Sequence, residues 1–130
     1  MAHYLDTSAL VKLVIAEAES DALQRWLAES PRQPVACDLA RTELMRAVRR
    51  VAPDRALGAR KVLDSLTLIQ VTPSLFEQAG RIDPIELRTL DAIHLAAALD
   101  LGDDLDGIVS YNDRLNAAAH RAGLAVLSPA

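Results

Sequence analysis

Four acids in this chain stand where ordinary surface chemistry would not put them. "YLDTSALVKL" (residues 4–13) runs from an apolar stretch into Asp6, then Thr7 and Ser8, then apolar residues at helical spacing. "GIVSYNDRL" (107–115) repeats that plan, with Asp113 just past a short β-branched run. Glu43 lies three residues after Ala40 and four before Ala47, on the inner edge of the apolar stripe Ala40, Leu44, Ala47, Val48 and Val51. Asp91 opens an Ala/Leu-rich segment, where a helix dipole favours a carboxylate. Two of the four have a plain structural use: Asp6 as a helix cap and Asp91 as a partner of the dipole. Convergence is another matter. A carboxylate beside a core must be paired, protonated or bound to a metal, and four together repel one another. A divalent cation relieves that repulsion. All-oxygen donors suit Mg²⁺ or Mn²⁺, and the lack of a His/Cys cluster argues against zinc. Mg²⁺ takes one or two carboxylates, keeps several waters and meets phosphate oxygens, which is the setting of metal-assisted phosphodiester hydrolysis.

The elements that must position these acids alternate between strand and helix. "HYLD" reads as a first strand ending on Asp6, followed by helices over 8–16 and 20–29. "PVACD" reads as a second strand leading to Asp38, a helix N-cap for 39–51. Pro53 opens another helix, "LTLIQVT" is a β-branched strand, and Pro73 starts a helix to about residue 82. After a turn over 83–88 comes "TLDAIHLAAALDLG", a helix with Gly102 at its end. "DGIVSY", "NDRLNAAAHRAG" and "LAVLS" complete the chain as strand, helix and strand. Such alternation implies crossover connections and a mostly parallel sheet covered on both faces. Ligands of such sheets bind beyond the carboxyl ends of the strands, where Asp6 falls.

Bulk properties narrow the function further. The 130 residues fit one domain (1–130), and 51% hydrophobic residues exclude a disordered chain. One Trp, two Tyr and one Phe leave an aliphatic core and argue against a base-stacking module. A single cysteine, Cys37, excludes an internal disulfide and reads as a buried structural thiol. No leader and no apolar run of membrane-spanning length are evident, so the expectation is a soluble, cytoplasmic protein. The net charge is −4, yet residues 41–61 hold seven bases against two acids, for +5, and leave −9 elsewhere. That strip, with Arg46 and Arg50, is where a polyanion could be met.

"YLDTSALVKL", "ARTELMRAVRR", "RTLDAIHLAAAL" and "IVSYNDRLNAAAHRAGLAVLSP" occur in an order that resembles a PIN domain, specifically a VapC-type toxin of a toxin–antitoxin pair, over essentially the whole chain. The resemblance implies a PIN-like α/β/α sandwich with about five mostly parallel strands, acting as a Mg²⁺- or Mn²⁺-dependent endoribonuclease. By position Asp6, Glu43 and Asp91 match three family acids. Asp6 and Asp91 are then the main metal ligands and Glu43 completes the cluster, while Thr7 and Ser8 orient Asp6, bind substrate or cap the helix. The fourth acid departs from the pattern: Asn112 stands where the family places aspartate, and Asp113 comes one residue later. Either Asp113 turns in or Asn112 serves as a neutral ligand, and the reading favours Asp113. Expected partners are RNA, a VapB-type antitoxin and a second copy in a homodimer. The apolar series Leu10, Leu13, Val14, Leu23, Trp26 and Leu27 lies at helical spacing and reads first as core, with a groove for a partner helix as the alternative. His94 reads as a core or edge histidine, and His3 and His120 as structural.

Rival readings are weaker. A phosphotransferase of the haloacid-dehalogenase type wants a second Asp where Ser8 stands, and a receiver domain wants a late lysine, but none follows Lys61. A catalytically impaired PIN domain that only binds RNA or protein stays open because of Asn112.

Overall fold

The computed structural model describes residues 2–130. Five strands, β1 (Ala2–Leu5), β2 (Gln33–Cys37), β3 (Thr67–Ile69), β4 (Leu105–Val109) and β5 (Val126–Leu127), form one parallel sheet in the order β3-β2-β1-β4-β5. Seven α-helices connect and cover them: α1 (Thr7–Lys12), α2 (Ser20–Glu29), α3 (Leu39–Val51), α4 (Ala56–Ser65), α5 (Pro73–Gly80), α6 (Thr89–Asp100) and α7 (Asp113–Arg121). The α/β/α sandwich read from the sequence is the observed architecture.

Alternation along the strands divides the core in two. Tyr4, Val35, Cys37 and Ile108 pack on one face with α5, α6 and α7, in a layer dominated by small residues of α6. Leu5, Ala36 and Val109 point to the other face and pack with Leu10, Leu23, Leu44, Val48 and Leu63 of α1–α4. Helix α6 is buried continuously from Ala92 to Ala98, so its alanines let it lie close against the sheet.

Several boundaries differ from those read in the sequence. The first helix ends at Lys12, short of 16, because Leu13 closes it with an N–H bond to the Leu10 carbonyl. Strand β3 keeps only three residues, those that find partners on β2. Asp38 does not cap α3 through its side chain. It already has helical dihedrals, and its carboxylate pairs with Arg41 Nε at 3.2 Å. Val51 is 70% exposed, since the chain turns at Ala52–Pro53 and nothing packs over the helix's last residue. Leu10, Val14 and Leu23 are core, and Leu13, Trp26 and Leu27 are partly buried against it, so the apolar series is largely consumed within the molecule. Trp26 lies edge-on to His3 and carries the Arg32 guanidinium over its ring at 4.0 Å.

One glycine is required by close approach. A Cβ on Gly107 of β4 would meet Leu127 Cδ1 at 2.6 Å and the Ala125 carbonyl oxygen at 3.0 Å. Gly107→Ala is expected to cost about 1–2 kcal/mol by forcing β5 outward. Urea unfolding measures this, and an unchanged midpoint would show that the edge strand yields freely.

Candidate active site

The strand order reverses around β1, whose neighbours are β2 on one side and β4 on the other. This is the switch point at which parallel sheets open a crevice at the carboxyl ends of their strands. Asp6 follows β1 directly, and its amide donates to the Val109 carbonyl at the end of β4 (3.2 Å). Its side chain is 3% exposed yet fully engaged. Oδ1 accepts from Ser8 Oγ at 2.6 Å and from the Ala9 amide at 3.1 Å, the latter an N-cap of α1. Oδ2 accepts from Ser110 Oγ at 3.0 Å. Burial pushes the Asp6 carboxyl above its ordinary pKa, against the opposing pull of Ser8, Ala9, the His94 charge and Ser110.

The two serine hydroxyls are themselves fixed. Ser8 Oγ accepts from the Tyr111 amide (2.9 Å) and Ser110 Oγ from the Asn112 amide (3.1 Å). The loop after β4 is therefore laced to the loop after β1 through the Asp6 carboxylate.

Glu43 reaches the same edge from the second turn of α3. Its Oε1 accepts from Thr7 Oγ1 at 2.9 Å and from His94 Nε2–H at 2.5 Å, while Oε2 has no hydrogen bond among the described residues. His94 is 1% exposed, and its Nδ1 shares a hydrogen bond with Tyr4 Oη at 2.7 Å, with Cys37 Sγ at 3.9 Å. Burial pulls the His94 pKa down, but bonds and charge from Cys37 and Glu43 outweigh it and raise the value to about 10. Burial likewise raises Glu43, and His94 and Thr7 reverse this to leave it below its ordinary value. The outcome is a buried imidazolium clamping a half-buried carboxylate.

Asp91 occupies the first turn of α6, as read, and its Oδ2 accepts from Asn112 Nδ2 at 3.2 Å. Asn112 Oδ1 accepts from the amides of Arg114 and Leu115 and so caps α7. Asp113 is the first residue of that helix, exposed, and without a hydrogen bond or ion pair among the described residues. It shares a cleft with Arg88, Asp91, Asn112 and Arg114. Arg46 and Arg50 lie elsewhere, lining a separate cleft with Arg49 and Pro53.

Asp6, Glu43, Asp91 and Asn112 thus reach one region from four chain segments. Asp6 connects to Asp91 through Ser110 and Asn112, and Thr7 joins its neighbour Asp6 to Glu43. Among the described residues no three His, Cys, Asp or Glu side chains form a preformed metal cage. The donors are all oxygen, which fits a hard cation that needs one or two carboxylates and retains water.

Two contributors escape a sequence reading. Ser110 is fully buried, and its signal was a hydroxyl ending an otherwise apolar strand. His94 is a core histidine as read, but its bond to Glu43 joins it to the acids; its spacing, one turn after Asp91, was the clue.

The PIN domain model matches residues 3–121. The ribonuclease VapC46 of Mycobacterium tuberculosis is 46% identical over 127 residues, covering 97% of this chain and 96% of that protein. Among solved structures, the sarcin-ricin-loop-cleaving toxin VapC20 of M. tuberculosis superposes with a TM-score of 0.79 at 21% identity, covering 98% of this chain and 99% of its own. A toxin–antitoxin complex from Klebsiella pneumoniae contains a chain with a TM-score of 0.74 at 19% identity, with 98% of both chains covered. With a matching family model, closely similar sequences and the same fold, this chain belongs to the PIN-domain family, in its VapC branch.

Proposed function

We propose that this protein is a Mg²⁺- or Mn²⁺-dependent endoribonuclease that acts in the cytoplasm as the toxin of a toxin–antitoxin pair. The observation that carries the reading is that Asp6 is linked to Asp91 through Ser110 and Asn112, and to Glu43 through its neighbour Thr7, at the switch point of a parallel sheet. The ribonuclease name of VapC46 supports the reaction class, and the Klebsiella complex supports a VapB-type antitoxin as the inhibitor. A homodimer is the expected assembly of the free toxin.

Asp6 and Asp91 would hold the cation, with Glu43 completing the cluster through Oε2. A bound divalent ion supplies charge neutralisation at the phosphodiester and lowers the pKa of the attacking water. Ser8, Ser110 and the Ala9 amide hold the Asp6 oxygens in place, and burial keeps bulk water from competing for them. Asn112 has committed its oxygen to two amides, so it acts by positioning Asp91. Asp113, whose carboxylate has no protein partner among the described residues, is the available fourth acid. No helix among the described residues is long and apolar enough to cross a bilayer.

Purified protein incubated with a mixed RNA pool tests the reading. Discrete cuts are expected with Mg²⁺ or Mn²⁺, none with EDTA, and recovery when the metal is restored in excess. Cutting that persists in EDTA would reject the metal-dependent mechanism. A folded, antitoxin-free protein that cuts nothing would favour a binding-only PIN domain.

A further inference from the structure

Of the arginines between 41 and 61 that the sequence offered for an RNA backbone, Arg46, Arg49 and Arg50 lie on α3 and line a cleft that none of the four acids enters. A different cleft, of about 240 Å³, contains Asp91 itself, together with Asn112, Asp113, Arg88 and Arg114. Its two arginines are built into the same turns that build the site. Arg88 is the residue from which α6 starts, and its carbonyl accepts from the Ala92 amide one residue past Asp91. Arg114 follows Asp113 in the first turn of α7, and its amide donates to Asn112 Oδ1. Their backbones are fixed, but neither guanidinium has an ion pair or a side-chain hydrogen bond among the described residues. This holds although two carboxylates, Asp91 and Asp113, line the same cleft. Most exposed arginines are likewise without an ion pair among the described residues; what sets Arg88 and Arg114 apart is that they line one cleft with Asp91.

A cleft with two open guanidiniums and two carboxylates suits a ligand that brings an anion and a cation together. A phosphodiester accompanied by a divalent ion is such a ligand, and the planar fork of arginine matches phosphate oxygens bidentately. Resting on the ribonuclease reading above, we propose that Arg88 and Arg114 form a phosphate-binding subsite that holds the RNA backbone beside Asp91. The strip on α3 then contributes general attraction, whereas this pair fixes the strand's register at the acids.

The test separates binding from cleavage. A labelled single-stranded RNA is titrated in EDTA against Asp6→Asn chains that also carry Arg88→Ala, Arg114→Ala, or Arg25→Ala on α2 as a control outside the basic strip. Each of the first two is expected to weaken binding about three- to tenfold and to reduce the slope of log affinity against log salt by roughly 0.7, the share of one phosphate contact on a single strand. Arg25→Ala is expected to change neither. Arg114→Lys keeps the charge and is expected to retain the slope while recovering only part of the affinity. In the background that keeps Asp6, the alanine variants raise KM with little change in kcat, the pattern of lost uniform binding. Wild-type affinity and slope in both variants, or an equal loss in Arg25→Ala, would overturn the subsite, and so would failure of the chain to bind RNA at all. Arginine-dependent binding by a chain that never cuts would keep the subsite and reject the ribonuclease reading; cutting that ignores both arginines would do the reverse.

Discussion

Asp6→Asn is expected to abolish RNA cleavage, by a hundredfold or more, and to leave the fold at least as stable as before. The loss follows from charge: an amide in the same place cannot neutralise a divalent ion, and removing one well-placed electrostatic group from an active site typically costs about 10²–10³ in rate. Retained stability follows from burial. The Asp6 carboxyl is 3% exposed and has a raised pKa, so at neutral pH the folded state holds a charge it disfavours relative to the unfolded chain. For such an acid stability rises as pH falls, because the folded state binds the proton more tightly. A neutral asparagine removes that penalty. The hydroxyls of Ser8 and Ser110 can each rotate to accept from the new amide, so its bonding partners remain. Urea unfolding in EDTA beside a cleavage assay measures both effects. A clear fall in stability would show that Asp6 is needed chiefly as the cap of α1, through its bond from Ala9. Full activity in the variant would remove Asp6 from the chemistry.

The placement of the candidate acids on their elements was legible in the sequence, whereas parts of the framework were not. Asp6 follows a short apolar strand and Asp91 stands in the first turn of an Ala/Leu-rich helix, both as read, and the strand–helix alternation gives the parallel sheet. Local rules failed where tertiary contacts decide. Asp38 has the right residue type for a cap, but its backbone is already helical and its amide is taken by Ile69 of the neighbouring strand. Val51 has the right spacing for a core stripe, but the turn at Pro53 leaves it outside. The basic strip is real in the sequence, yet charge counted along a chain does not say which arginines share a cleft with an acid. Arg88 and Arg114 lie 26 positions apart and meet only because α6 and α7 both begin at the carboxyl edge of the sheet. His94 was legible as buried and illegible as a partner, since the residue it clamps lies 51 positions away.

His94→Leu is the second large effect expected. It removes the donor to Glu43 Oε1 and strips Tyr4 of a partner inside the core, while roughly filling the space. Losing hydrogen bonds to a charged group is worth about 1.5–3 kcal/mol, and unfolding in EDTA should show a loss of that order. Cleavage should fall about tenfold or more through kcat, as Glu43 then keeps only Thr7 to orient it. His94→Gln, which can still donate to Glu43, should recover part of both, whereas a purely space-filling role predicts no difference between Leu and Gln. The pH dependence carries the sign. His94 is raised from 6.5 to about 10, so its contribution is complete below pH 6.5 and fades as pH climbs through about 10. Glu43 is lowered from 4.5, so its contribution is complete above pH 4.5 and is lost as pH falls through the lowered value. The stability gap between wild type and His94→Leu should therefore be widest between pH 4.5 and 6.5 and shrink steadily on the alkaline side. A gap that stays constant with pH would mean that the histidine serves packing alone. A gap that closes as expected would mean that an acid is tolerated on the inner edge of α3 because a buried cation holds one of its oxygens.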